Sequence, residues 1–303
     1  MRYTVPLRYV EAINKAGSIR KAAERLSITA SALNRRILMM EEELGVELFE
    51  RQPKGVCLTS AGELFLQMSR MHLADLERVK SQIADLTGVR RGHVSIACSQ
   101  ALATSFVPKQ IAKYRKKYPG VTFDVFVRDR AEAVRAVITM QADIGIVFEP
   151  TRQSDFHVIH TELQPIYAIL HRQHPLGNRT SLRLGECLNY DVALPTSPIG
   201  VRHLLEVALK NSSRKLEPVM ESDSFDLLRH YAQYEHVVTF QIALGLDEVQ
   251  GSNGLVAIPV DLKDVPPGIM SIGQLRQRTL PVAAAKFANQ LTEALEQSQK
   301  SEA

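Results

Sequence analysis

Apolar residues recur at helical spacing from near the start of the chain. Leu7, Val10, Ala12, Ile13 and Ala16 fall mostly three or four apart and Gly17 ends the run, which predicts a helix over 7–16. A second helix, capped by Ser18, carries Ile19, Ala22, Ala23 and Leu26, and its paired alanines allow the close approach that a steep helix crossing needs. Ser27 and Ile28 form a tight connection, and Thr29 caps a third helix with Leu33 and Ile37 inward. The three segments read as a helix-turn-helix. On the third helix Ala30, Ser31, Asn34 and Arg35 fall on the outward face, where short polar side chains and arginine can reach base edges in a major groove. The acidic run Glu41 to Glu43 should face away from phosphates.

Residues 48–58 contain Arg51, Gln52, Pro53, Lys54 and Gly55 between apolar flanks and read as a short β-hairpin, the wing of a winged helix-turn-helix, with Arg51 and Lys54 beside the nucleic-acid backbone. Thr59 or Ser60, the latter with Glu63 as a capping box, opens a helix that runs to about Leu86. Ala61, Phe65, Met68, His72, Leu76, Val79, Ile83 and Leu86 form one stripe along it. A helix of this length is a rod of about 40 Å, too long for one small domain to cover, and such a stripe usually pairs with a copy of itself.

After a linker at 87–92 the pattern changes to alternating strands and helices: strand 93–99, helix 103–117, strand 121–127, helix 130–140 and strand 143–148. This βαβαβ order implies a parallel sheet. A second series follows, with strands at 167–170, 190–194, 217–221 and 237–240 and helices at 201–209 and 225–234. A last strand near 269–275 and a helix from Val282 to about Gln297 have no partner in the second series and should return to the first. The expected organisation is therefore α/β: a DNA-binding domain over 1–59, a linker and dimerisation helix over 60–92, and an α/β region over 93–303 in two parts, 93–162 with 266–303 and 163–265.

Charge sharpens this division. The net charge of +4 lies entirely in residues 1–92, with 15 Lys and Arg against 11 Asp and Glu; the remainder holds 22 of each. Residues 1–36 carry eight basic residues against Glu11 and Glu24, a surface that fits phosphates or a solvated helix face. Cys57, Cys98 and Cys187 show neither CxxC nor metal-ligand spacing, so no disulfide framework or zinc site is indicated. The absence of an apolar leader or membrane-length stretch suggests a cytoplasmic protein, no membrane partner, and no exported solute receptor. No nucleophile with an adjacent base, no glycine-rich phosphate loop and no carboxylate pair is evident, so neither an enzyme nor a cofactor is expected.

The string Ala22, Ala23, Leu26, Ala32, Leu33, Ile37, Glu42, Leu44, Gly45, Leu48, Phe49, Arg51, Leu58, Thr59, Ala61, Gly62 resembles the DNA-binding signature of the LysR-type transcriptional regulators. The resemblance extends over the whole chain and implies a winged helix-turn-helix, a long linker helix and a two-lobed sensor similar to periplasmic solute-binding proteins. It also implies a homodimer or homotetramer on double-stranded operator DNA, a small-molecule effector, and RNA polymerase as a partner if the protein activates. It places Ser31, Asn34, Arg35 and Arg36 where the family touches DNA. Ala30 stands where Gln is common, Asn34 where Ser is common and Arg36 where Gln or His is common; losing Gln removes a bidentate adenine contact that Asn34 could restore elsewhere.

In two-lobed α/β sensors ligands lie between the lobes, at strand ends and helix starts. Ser99, Gln100 and Thr104 end the first strand and open its helix. Thr196 and Ser197 do the same in the second lobe, with Arg202 in the following turn, and Arg128, Phe148 and Phe240 are further lining candidates. Two polar helix starts suggest a carboxylate-bearing effector, although each hydroxyl is also an ordinary helix cap and both phenylalanines suit the core. His157 with His160 and His171 with His174 give HxxH spacings, but residues three apart on a strand point to opposite faces, which argues against metal. The remaining alternative is redox sensing by thiol oxidation; Cys98 near a strand end fits better as a small buried hydrophobe.

Overall fold

The computed structural model describes residues 5–52, 55–86, 91–246, 249 and 254–302 and divides into two compact units, residues 1–87 and 88–303. In the first unit α1 (Val5–Ala16), α2 (Ile19–Arg25) and α3 (Ala30–Leu44) are followed by the hairpin β1 (Phe49–Gln52) and β2 (Gly55–Leu58) and by α4 (Ser60–Leu86). Ser18 and Thr29 cap α2 and α3 by accepting from the backbone N–H of Lys21 and Ala32, and Gly45 ends α3 in the left-handed conformation. Val10, Ile13, Ala22, Ala23, Leu33, Ile37 and Leu48 close the core beneath them. The wing is pinned at its base: the Val56 N–H donates to the Gly17 carbonyl at 3.0 Å, and a Cβ on Gly55 would lie 2.2 Å from that same oxygen.

Two local readings become definite here. Thr59, not Ser60, caps α4, its hydroxyl accepting from Gly62 N and donating to the Glu47 carbonyl. The acidic run has an inward role as well, because the Glu41 carboxylate accepts the N–H groups of Leu48 and Phe49 and so fixes the entry to the wing.

The second unit contains β3 (Arg91–Ser99), α5 (Gln100–Ala103), α6 (Phe106–Lys117), β4 (Gly120–Arg128), α7 (Arg130–Ile138), β5 (Ile144–Phe148), β6 (Phe156–Gln164), β7 (Ile166–His171), α8 (Leu184–Cys187), β8 (Ala193–Pro195), α9 (Gly200–Leu209), β9 (Met220–Ser222), α10 (Phe225–Tyr234), β10 (Thr239–Ile242), β11 (Leu255–Pro259), β12 (Gly268–Leu275) and α11 (Val282–Glu302). Its larger sheet has the order β4-β3-β5-β12-β6. β3 pairs in parallel with β4 and β5, as the βαβαβ pattern requires, while β12 returns from the end of the chain and lies antiparallel between β5 and β6. Tyr114 donates to the Ala283 carbonyl and packs edge-on against Phe287, holding α11 to the same lobe.

The other lobe is less uniform than its sequence pattern suggests. β7 pairs antiparallel with β10 and β11, while the short β8 and β9 run parallel. β6, α8 and β11 were not distinguished in the sequence. The helix expected over 103–117 starts later, as α6 at Phe106, and the short α5 precedes it: the chain breaks at Thr104 and Ser105, where the Ser105 hydroxyl donates to the Leu244 carbonyl, and Pro108 then occupies the first turn of α6, where its missing N–H costs nothing.

Candidate functional sites

The outward face of α3 presents Ala30, Ser31 and Arg35 to solvent, with Asn34 half-buried beside them. Ser31 shares a hydrogen bond of 3.2 Å with the Thr29 hydroxyl, so the cap residue and its neighbour hold each other. Arg51 on β1 reaches back and donates to Asn34 Oδ1 at 3.4 Å, which orients the amide and joins wing to recognition helix. Arg35 has no carboxylate partner among the described residues. Arg36 is directed elsewhere: its guanidinium donates to the Tyr9 hydroxyl and sits 5.2 Å from the centre of that ring, so this side chain braces α3 against α1. Lys54 lies outside the described residues.

On α4 the predicted stripe divides: Ala61, Phe65, Met68 and Leu76 are half-buried, whereas Val79 and Ile83 are 43 and 57% exposed, and the Leu86 side chain lies outside the described residues. Far from the hairpin, then, α4 carries apolar side chains that its own unit does not cover.

In the second unit a cleft of about 260 Å³ opens between the two lobes. It is lined by Ser99, Gln100, Arg128, Asp129, Arg130 and Phe148 from one lobe and by Thr196, Ile199, Gly200 and Asp223 from the other. The Ser99 hydroxyl accepts the Phe148 N–H at 2.9 Å, locking the ends of β3 and β5 together. Asp129 accepts two N–H groups in the first turn of α7, so its charge is engaged with that helix. Arg128 donates to the Val127 carbonyl and Arg130 to the Glu149 carbonyl, and neither has a carboxylate partner among the described residues. Across the cleft α9 begins at Gly200 with Ile199 as its cap residue and no side-chain acceptor for the first N–H groups, a helix start that favours an anion. Gly200 is required there: a Cβ would lie 2.8 Å from both the Phe148 ring and its carbonyl oxygen.

The remaining candidates are placed elsewhere. Arg202 points away from the cleft and binds Glu206 at 2.7 Å and Glu221 at 2.6 Å. Thr104 and Phe240 border a separate space of about 10 Å³, room for one water, beside Thr239 and Gln241. Ser197 is exposed. Arg130, Gly200 and Asp223 were missed; the only signal for Gly200 was its place at the predicted helix start. Cys98 and Cys187 are fully buried, and burial pushes both thiols up to about 12. His157 is exposed on β6, and His160 lies 3.6 Å from the buried Glu162.

Residues 6–63 match the bacterial regulatory helix-turn-helix protein model of the lysR family, and residues 87–296 match the LysR substrate binding domain. The chain belongs to the LysR family. It is 26% identical to the HTH-type transcriptional activator CmpR of Synechocystis sp. over 84% of this chain and 83% of that one. It is 28% identical to the HTH-type transcriptional regulator YbhD of Escherichia coli over 90% and 83%. Among solved structures, full-length CbnR complexed with its target DNA has a TM-score of 0.65 at 18% identity, covering 96% of this chain and 99% of that one. A full-length OxyR variant from Pseudomonas aeruginosa has a TM-score of 0.70 at 19% identity, covering 97% and 94%. At these identities the structural likenesses concern the fold. The protein is thus a LysR-type transcriptional regulator with a DNA-binding unit and an effector-binding domain, and no described helix is long and apolar enough to cross a membrane.

Proposed function

We propose that this regulator binds a small carboxylate in the cleft between its lobes and thereby changes its affinity for, or its geometry on, operator DNA. The observation that carries the reading is the pairing of Arg128, which has no acidic partner among the described residues, with the uncapped start of α9 across the cleft. A carboxylate there would accept charge-assisted hydrogen bonds from both lobes, which favours the arrangement in which the lobes approach. Asn34 and Arg35 read bases, Arg51 and Lys54 meet phosphates, and α4 joins two copies through Val79 and Ile83. If the protein activates, RNA polymerase is a further partner.

The test is a screen of small carboxylates, each with its uncharged amide, for thermal stabilisation of the full chain, followed by reporter induction with the best ligand. Stabilisation by the acid and not the amide supports the reading; stabilisation by neither opposes it. Ser99→Ala and Thr196→Val should reduce induction by about 5- to 150-fold, the range of ordinary allosteric coupling, with basal DNA binding unchanged. A Cys98→Ser, Cys187→Ser double variant should induce normally. Loss of induction in that variant, with normal induction in the cleft variants, would overturn the cleft mechanism in favour of thiol oxidation.

A further inference from the structure

The seam between α1 and α4 is not an ordinary apolar contact. Glu11, on the side of α1 that also buries Val10, places its carboxylate against the Arg70 guanidinium of α4. Arg70 Nε donates to Glu11 Oε2 at 2.8 Å and Nη2 to Oε1 at 3.4 Å, so both oxygens meet one fork. The side chains are only 19 and 9% exposed. Lys15 closes on the same carboxylate at 3.2 Å, and Ser69, next to Arg70, is fully buried. Hydrophobic contact is non-directional and tolerates small rotations of one helix on another, whereas a carboxylate facing a guanidinium fork does not. Buried ion pairs can often be exchanged for apolar residues without loss of stability, and their best-attested contribution is to fix register.

We infer that the Glu11–Arg70 pair fixes the angle at which the winged helix-turn-helix is carried on α4, and so determines the half-site spacing that the protein accepts. The inference rests on the reading that α4 joins two copies. Each base pair inserted between half-sites moves the second one by about 3.4 Å and turns it by about 35° around the duplex. A carrier of fixed angle therefore tolerates one spacing, and a carrier free to rotate tolerates several. Glu11 and Arg70 are positioning residues: neither belongs to the outward face of α3.

The experiment measures binding of the full chain to DNA bearing two half-sites with spacers varied one base pair at a time, with binding to a single half-site as control. The wild type should prefer one spacing by about tenfold. The apolar exchange Glu11→Val with Arg70→Leu should keep its single-half-site affinity and its dimer while the spacing preference falls to about threefold or less. The reversed pair, Glu11→Arg with Arg70→Glu, should recover the preference. Arg70→Lys keeps the charge but loses the fork and should broaden the spacing as well. Wild-type spacing preference in Arg70→Lys, or in a folded apolar exchange, would overturn the inference. A monomeric wild type, or one indifferent to spacing, would instead overturn the α4 pairing on which it rests.

Discussion

In the effector-binding domain Arg183, Arg202 and Arg278 each lie against a carboxylate, at 2.7, 2.6 and 2.7 Å, whereas Arg35 on α3 faces solvent with no carboxylate partner among the described residues. The same contrast is written in the composition, where 22 cations match 22 anions beyond residue 92 and four cations are in excess before it. Cations matched inside a domain orient its own elements; cations left unmatched on one face are available to a polyanion. The cleft repeats the second condition within the first region, since Arg128 and Arg130 donate to carbonyl oxygens there and have no carboxylate partner among the described residues. Unmatched charge is thus found at both places where a partner is proposed.

The largest expected effect falls on assembly. Val79→Asp together with Ile83→Asp places two charges on the exposed apolar stretch of α4 and should convert the dimer to a monomer in sedimentation at micromolar concentration, without altering the helix content of either unit. A wild type that sediments as a monomer would remove the basis for assigning that stretch to a second copy.

A smaller effect separates the two kinds of DNA contact. Arg35→Ala should lower specific operator affinity by about 1–3 kcal/mol relative to unrelated DNA, as expected for a side chain that reads a base. Lys54→Ala should weaken all sequences alike and reduce the logarithmic salt slope by about one. Equal losses on operator and unrelated DNA for both variants would show that α3 contributes charge but no sequence reading.

The smallest effect concerns the effector-binding domain alone. His174 is buried, its Nδ1 accepts the Leu176 N–H, and its pKa is lowered from 6.5 first by burial and then by the neighbouring His236, with His171 and Tyr190 also nearby. A histidine kept neutral in the folded state binds its proton more readily when unfolded, so its contribution to stability is present above about pH 6.5 and is lost as pH falls through that value toward the depressed one. Thermal unfolding of the full chain should show this decline for the domain's transition, and His174→Gln should flatten it by no more than one proton. A decline of the same slope in the variant would assign it to other groups.

What the sequence revealed differed between the two regions for a physical reason. In the DNA-binding unit each element announces itself locally: Ser18 and Thr29 are caps, Gly17 and Gly45 are stops, and the apolar spacing is helical in α1 to α3. The direction of Arg36 was not legible, because it depends on Tyr9, 27 residues earlier and on another helix. In the effector-binding domain β6 was hidden by His157, His160 and Glu162, which interrupt its alternation at a strand that also carries a register shift against β12 between Ile272 and Gly273. The cleft was half legible. Ser99, Gln100, Arg128, Phe148 and Thr196 come together, but Arg202 was assigned from its distance to a helix start, and the helix turn directs it instead to Glu206 and Glu221.

The place of β12 also has a consequence for how the protein is made. Because β12 lies between β5 and β6, those two strands do not pair with each other, and the first lobe's sheet stays open until residue 275 has been synthesised. Domains generally fold as units during synthesis, the N-terminal one first. The DNA-binding unit therefore completes its core well before the sensor can close, as does the second lobe's sheet, which ends at Pro259. A ribosome that stalls between those points releases a chain able to engage DNA while two strand edges remain exposed to association with other chains. On the proposed reading, in which an effector governs DNA binding, uninterrupted synthesis past Leu275 is part of keeping that binding regulated.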